Sequence, residues 1–102
     1  MDRLAISPDG HRSLRLAGEL DLRSVRPLLD EFEAMPAEGQ ATLDLSELAF
    51  IDSSGLHAIE ELASKQNGNG PLILAGTSPA VARLLEITDL HRHPGLEVRA
   101  AQ

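Results

Sequence analysis

The chain of 102 residues contains no cysteine, no tryptophan and no tyrosine, and its only aromatic side chains are Phe32 and Phe50. The lack of cysteine excludes disulfides and thiolate metal sites. The scarcity of aromatic rings leaves almost nothing on which the bases of a single-stranded nucleic acid could stack. The core must therefore be built from leucine, isoleucine, valine and alanine, within an apolar fraction of 42% that is ordinary for a globular protein.

The chain also has few positively charged residues. It contains 9 Lys and Arg residues and 16 Asp and Glu residues, which gives a net charge of −7. Binding to DNA, RNA or an anionic membrane needs clustered cations, so this balance argues against all three. The longest apolar run, residues 72–75, is far too short to span a bilayer, and no secretion signal follows Met1. We therefore expect a single cytoplasmic domain over residues 1–102, without nucleic-acid binding or membrane insertion.

Four segments of alternating apolar and polar residues and one short apolar segment predict five strands. A Pro8-Asp9-Gly10 turn joins the first two strands, which are therefore expected to form an antiparallel hairpin. The fourth strand is wholly apolar, as expected of a strand that is covered on both faces. The predicted strands lie around residues 4–6, 14–16, 43–45, 72–75 and 96–98.

Three helices are predicted between the later strands, around residues 25–35, 56–63 and 81–85. Ser24 is the predicted N-cap of the first helix, with Pro27 in its first turn, and Ser78 is the predicted N-cap of the third. The order β-β-α-β-α-β-α-β predicts an α/β fold with a mixed, mostly parallel sheet of about five strands, an antiparallel N-terminal hairpin and about three helices.

The most informative stretch is Asp52-Ser53-Ser54-Gly55, between the third predicted strand and the second predicted helix. One interpretation is a plain N-cap, in which a hydroxyl or carboxylate satisfies free N–H groups and Gly55 relieves crowding. The other is a phosphorylatable serine, because a helix N-terminus favours added negative charge. A phosphate adds a charge of about −1.5 to −2, which the helix tolerates while a docked protein is repelled by it.

The run Leu-Ala-Phe-Ile-Asp-Ser-Ser-Gly-Leu at residues 48–56 resembles the signature of STAS domains, especially bacterial anti-sigma factor antagonists. The Gly-Glu-Leu-Asp at residues 18–21 resembles the second hallmark of that family, and residues 72–90 resemble its final strand and helix. The likeness covers about residues 3–99 in the same order of elements. It implies the STAS fold.

The resemblance also implies where a phosphate would be added. In that family the serine directly after the aspartate accepts the phosphate, and this serine corresponds to Ser53. The neighbouring residues would shape the contact with a partner. The predicted partner-binding residues are Asp21, Asp52, Ser54, Gly55 and His57.

The implied partner is an anti-sigma factor that is itself an ATP-binding serine kinase, with a PP2C-type phosphatase reversing the modification. The unphosphorylated antagonist would capture the kinase and free the sigma factor, and the phosphorylated form would not bind. The chain would therefore regulate transcription indirectly, by partner switching. It would have no catalytic residue, cofactor or metal of its own.

Two other roles remain open in the same family. The chain could be a STAS regulatory subunit of an ABC lipid transporter, in which the same face packs permanently on an ATPase subunit and the serine need not be phosphorylated. A stressosome-like scaffold component is disfavoured, because we identify no second, oligomerising domain in the sequence.

Two groups of residues also suggest chemistry. Ser53 and His57 share a helix face, but a serine hydrolase needs a nucleophile elbow and an orienting third group, and neither is evident. Members of the family often have a small residue at the position of His57, so this histidine would alter the docking surface and place a titratable group near any phosphate. His91 and His93 have a spacing that can bind metal on a strand, yet no carboxylate motif accompanies them and an exposed loop is expected.

Overall fold

A computed structural model describes residues 4–66 and 68–101. The strands are β1 (Leu4–Pro8), β2 (Ser13–Leu20), β3 (Thr42–Ile51), β4 (Leu72–Thr77) and β5 (Leu96–Ala100). The helices are α1 (Leu22–Ala34), α2 (Ser53–Ser64) and α3 (Pro79–Ile87), and a 3₁₀ turn at Leu90–Arg92 precedes β5. The five strands form one sheet in chain order, with β1 antiparallel to β2 and all other pairs parallel. The expected mixed sheet, N-terminal hairpin and three helices are confirmed.

The core lies against one face of the sheet. Each parallel crossover steps in the same direction through the sheet, so right-handed connections place α1, α2 and α3 on a common face. The burial pattern agrees, since Leu14 and Leu16 of β2 are buried and Arg15 between them is exposed. The core is aliphatic, as its composition requires. Its most deeply buried leucines and isoleucine are Leu14, Leu16, Leu20, Leu28, Leu43, Leu45, Ile59, Leu62, Leu72, Leu74 and Leu85.

The start of α1 differs from the sequence prediction. Asp21, not Ser24, is the N-cap, and its side chain accepts a hydrogen bond from the Arg23 N–H at 3.0 Å. Ser24 is buried inside the helix, where its hydroxyl donates to the Glu19 carbonyl at 2.9 Å. Because α1 begins two residues before Ser24, Pro27 lies beyond the first turn and cannot donate to the Arg23 carbonyl. The predictions of Ser24 as the N-cap and of Pro27 in the first turn were therefore wrong. Asp21 and Ser24 both have side chains that can cap a helix, and they lie within four positions of each other.

The N-cap of α3 is as predicted, with Ser78 accepting from the Val81 N–H at 3.2 Å and Pro79 at the first helical position. Between α2 and β4, Gly68 and Gly70 have positive φ angles. Within residues 4–66 and 68–101, every helix is too short or too polar to cross a bilayer.

β3 is longer and less regular than the alternation at residues 43–45 suggests. Its register with β2 shifts twice, between Arg15 and Ala17 and between Gly18 and Glu19. Such β-bulges insert an extra residue and turn the following side chains to the other face. Leu45, Leu48 and Ile51 are consequently buried at intervals of three residues, and Phe50 is left 49% exposed.

Asp44 stabilises the first of these irregularities. Its Oδ1 accepts the Ser46 N–H at 2.9 Å, and its Oδ2 lies 3.5 Å from the Arg15 Nε. The hydrogen bond from the Ser46 backbone and, secondarily, the Ser46 side chain and the Arg15 charge lower the pKa of Asp44 below its usual value of 3.8. The ionised carboxylate is therefore the form that the fold prefers.

We expect Asp44→Asn to lower the free energy of unfolding by about 1 kcal/mol at pH 7. Because the pKa of Asp44 is lower in the folded chain than in the unfolded chain, this contribution is fully present above about pH 4 and is lost as the pH falls through the folded value. Urea denaturation of both proteins at several pH values measures the difference. Asp30→Asn is the control, since Asp30 is exposed and 3.9 Å from Arg26. A difference that persists unchanged at pH 2 would contradict this explanation.

Arg12 lies directly before β2, at the amino ends of the parallel strands. The side chain is only 8% exposed, and its Nη1 donates to the carbonyls of Pro36 at 3.0 Å and Ala37 at 2.7 Å. Its Nη2 donates to the Gln66 side chain at 3.4 Å, and its guanidinium lies 5.5 Å from the centre of the Phe32 ring. A single side chain thus joins the β1–β2 hairpin, the α1–β3 connection and the end of α2.

Candidate functional site

The strands β2 and β3 end side by side, and each leads directly into a helix. Leu20 and Ile51 are register partners, so Asp21 and Asp52 occupy equivalent positions just beyond the carboxyl edge of the sheet. Each aspartate is the N-cap of its helix. The structure therefore brings Asp21 and Asp52, two of the predicted partner-binding residues, to the same edge of the sheet.

Asp52 caps α2 with its carboxylate. Its Oδ1 accepts the Gly55 N–H at 3.0 Å, and its own N–H donates to the Leu20 carbonyl at 3.2 Å. Ser53 and Ser54 are the first two residues of the helix. The capping interpretation and the free-hydroxyl interpretation are thus compatible, because the carboxylate supplies the cap and neither serine is needed for it.

The Ser53 hydroxyl stands at the solvent-facing start of α2. The residue is exposed, whereas Ser54 is half-buried and Gly55 is buried. Among residues 4–66 and 68–101, no hydrogen-bond partner is found for the Ser53 side chain. The backbone N–H groups of the first turn and the helix dipole create a local positive potential at this position. A negative group added to Ser53 would meet this potential without displacing a hydrogen bond among the described residues.

Gly55 allows α2 to begin this close to β2. A Cβ atom at this position would lie 2.7 Å from the Leu20 carbonyl oxygen and 2.8 Å from both Leu20 Cγ and Ile51 Cγ1. These distances are shorter than van der Waals contact, and the carbonyl oxygen belongs to the backbone. The absence of a side chain at residue 55 therefore sets the position of the Ser53 hydroxyl relative to the sheet.

A groove runs between α1 and α2 beside Ser53. Its volume is about 450 Å³, and its wall is mostly apolar on the α1 side. Leu22, at the start of α1, is 74% exposed. The lining residues are Leu22, Val25, Leu29, Ser53, Ser54, His57, Ala58 and Glu61.

Leu22 and Glu61 line the groove but were not among the predicted site residues. Leu22 lay outside the predicted first helix, which was expected to start after Ser24. Leu22, Val25 and Leu29 nevertheless follow the i, i+3, i+7 spacing of one helix face. Phe50 is a further exposed apolar residue at this edge, and it pairs in register with Glu19. A correct prediction of the start of α1 would have placed Leu22 on this helix face. The exposure of Phe50, in contrast, depends on the bulges in β3.

His57 is exposed and lines the groove one turn after Ser53. Glu61 follows one turn later, so a carboxylate shares this face with Ser53 and His57. The Glu61 carboxylate lies 3.6 Å from the Lys65 ammonium, and no hydrogen bond joins Ser53, His57 and Glu61 among the described residues. The groove therefore lacks the hydrogen-bonded chain from carboxylate through imidazole to hydroxyl that activates a serine nucleophile.

The histidines near the C-terminus are engaged locally. His91 lies in the 3₁₀ turn rather than in a loop, and its Nδ1 is 3.3 Å from the Leu85 carbonyl oxygen. His93 Nδ1 accepts the Gly95 N–H at 2.9 Å, and its Nε2 lies 3.4 Å from the Ser64 hydroxyl. Within the described ranges, no group of three or more metal-ligating residue types is gathered at one place.

Comparison with known proteins points to one family. Residues 5–98 match the family model described as "Mlab, STAS domain". The fold is similar to that of the anti-sigma factor antagonist SpoIIAA in its unphosphorylated form, with a TM-score of 0.67 and 19% sequence identity. The similarity covers 93% of this chain and 86% of the other. The resemblance inferred from the sequence and the expected STAS fold are both confirmed.

Proposed function

Because this chain belongs to the STAS domain family, we propose that it is an anti-sigma factor antagonist, a cytoplasmic and non-enzymatic binding module switched by phosphorylation of Ser53. The partner is an ATP-binding anti-sigma factor that is also the kinase, and a PP2C-type phosphatase restores the unmodified form. Asp21, Asp52, Ser54, Gly55 and His57 belong to the docking surface.

One observation carries this proposal: Ser53 is exposed at the first position of α2 while Asp52, not a serine, supplies the cap. Phosphorylation then costs the domain no hydrogen bond, and the charge is added where the helix dipole favours it. The folded domain is therefore retained in both states. The effect of the phosphate falls on whatever is docked at the carboxyl edge of the sheet.

The groove beside Ser53 supports a mechanism for release. Leu22, Val25 and Leu29 offer an apolar wall that a docked side chain can bury. A phosphate on Ser53 would lie at the rim of that wall. Docking would then require the dianion to be desolvated against apolar surface, which is costly without a paired cation in the partner.

We expect incubation with ATP and the ATP-binding anti-sigma factors encoded in the same genome to add a single phosphate, at Ser53. Ser53→Ala should abolish labelling while retaining binding, and Ser53→Asp should weaken binding by at least about tenfold, or roughly 1.4 kcal/mol. Mass spectrometry locates the phosphate, and isothermal calorimetry measures the affinity.

Ser54→Ala is the matched control for labelling, because Ser54 is adjacent to Ser53 but half-buried. We expect Ser54→Ala to leave labelling of Ser53 intact. A phosphate found on Ser54 or elsewhere, or unchanged affinity in Ser53→Asp, would contradict the proposed switch.

A second candidate is a STAS regulatory subunit of an ABC lipid transporter. The 74% exposure of Leu22 beside the apolar groove favours it, since permanent interfaces are more apolar than transient ones. Copurification of the chain with a membrane-bound ATPase complex, undisturbed by Ser53→Asp, would support this candidate. Soluble one-to-one capture of a kinase would support the first.

A further inference from the structure

We propose that His57 is the positioning residue for a phosphoryl group on Ser53, pairing with it along the face of α2 and holding it over the groove. The inference rests on the proposed phosphorylation of Ser53 and deepens it. His57 would make the completeness of the switch depend on pH in the physiological range, because imidazole titrates there.

The spacing provides the first argument. Residues four apart on a helix are neighbours on its surface, and both Ser53 and His57 are exposed and line the same groove. An anion on the N-terminal member and a cation on the C-terminal member is the more favourable order for such a pair. A phosphate also extends beyond the serine hydroxyl, which brings its oxygens toward the imidazole.

The surroundings of His57 provide the second argument. Across the groove, α1 contributes only the apolar residues Leu22, Val25 and Leu29, so no charge on that wall competes for the imidazole. Elsewhere on α1, Arg26 and Asp30 lie 3.9 Å from each other. None of the charged residues of this helix is among the lining residues of the groove; they are Arg23, Arg26, Asp30, Glu31 and Glu33.

The acidic groups near His57 on α2 are either paired or lie outside the groove. On the groove face only Glu61 is acidic, and its carboxylate lies 3.6 Å from Lys65. Glu60 is exposed and is not among the lining residues of the groove. At the start of the helix, the Asp52 carboxylate accepts the Gly55 N–H. A dianionic phosphate one turn before His57 would therefore be the strongest partner available to an imidazolium at this position.

The test uses protein that carries phosphoserine at residue 53, introduced during translation so that no kinase is involved. Phosphorus NMR follows the second ionisation of this phosphate, which lies near about pH 6 in phosphoserine. We expect the midpoint to be higher in His57→Gln than in the native sequence by about half a pH unit, the size of an exposed i,i+4 ion pair with a dianion. His57→Lys should restore the low midpoint, because its charge persists through this pH range.

The imidazole resonances give the reciprocal measurement. Phosphorylation should move the titration midpoint of His57 to higher pH by a similar amount, because the coupling between two titrating groups is mutual. The resonances of His11 and His91, which are not among the lining residues of the groove, serve as internal controls.

Equal phosphate midpoints in the native and His57→Gln proteins would overturn the inference. This result would leave phosphorylation by a kinase unaffected, since the phosphate is installed independently. Conversely, if the midpoints differ as expected but no anti-sigma factor labels Ser53, the pairing stands and the proposed function fails.

Discussion

Gly55→Ala is expected to lower the free energy of unfolding by about 2–3 kcal/mol and the melting temperature by roughly 10–20 °C. The added Cβ would lie 2.7 Å from the Leu20 carbonyl oxygen, which also accepts the Asp52 N–H. Trimming Leu20 cannot relieve this contact, because the oxygen belongs to the backbone. The helix must instead move away from β2, which weakens the bond between Asp52 and Leu20.

Thermal and urea denaturation measure this effect, and Gly68→Ala is the matched control. A Cβ at residue 68 has no atom within 4 Å, but the φ of +85° strains any side chain there. We expect this control to cost only about 1 kcal/mol. If Gly55→Ala were no more destabilising than Gly68→Ala, the close approach of α2 to β2 would not be the reason for a glycine at this position.

The same substitution has a consequence for the site. Moving the start of α2 changes the position of Ser53 relative to Leu22 and the groove, so the folded fraction of Gly55→Ala should bind the partner more weakly than the native protein. Calorimetry at a temperature where both proteins are folded separates this loss from instability. The packing of one backbone carbonyl therefore connects stability with docking.

Arg12→Ala is expected to lower the free energy of unfolding by about 3 kcal/mol, because the loss of charge-assisted hydrogen bonds leaves carbonyl groups without partners. The carbonyls of Pro36 and Ala37 and the side-chain oxygen of Gln66 each lose the guanidinium. Arg12→Lys should recover about half of this loss, since one ammonium group cannot span the three acceptors as a planar guanidinium does. Urea denaturation at pH 7 provides the values.

Arg26→Ala is the control for Arg12→Ala, since Arg26 is exposed and lies 3.9 Å from Asp30, and it should cost less than about 0.5 kcal/mol. Arg12 lies at the amino edge of the parallel strands and Ser53 at the carboxyl edge. Partner binding by folded Arg12→Ala should therefore match that of the native protein. Loss of less than 1 kcal/mol in Arg12→Ala would show that the other contacts hold these three segments together unaided.

Much of the candidate site is predictable from local sequence. Asp52-Ser53-Ser54-Gly55 combines a capping carboxylate, a hydroxyl and a small residue between a strand pattern and a helix pattern, and the structure places all four at the start of α2. The N-cap of α3 at Ser78 is predicted for the same reason, because a cap depends on neighbouring residues alone. Where Asp21 and Ser24 compete, local pattern is insufficient. The position of the N-cap depends on where β2 ends. Because β2 ends at Leu20, Asp21 is the first residue with a capping side chain after the strand.

Local hydrophobic periods and capping residues are therefore enough to place five strands and three helices in order, since each depends on residues a few positions apart. The resemblance to STAS domains is likewise carried by short runs of the chain. Three features depend instead on residues far apart in sequence. The bulges in β3 leave Phe50 exposed, the Leu20 carbonyl requires a glycine at residue 55, and Arg12 reaches across 54 positions to Gln66. The groove beside Ser53 belongs with them, because it exists only where α1 and α2 pack side by side, and the distance between two helices is set by the sheet beneath them.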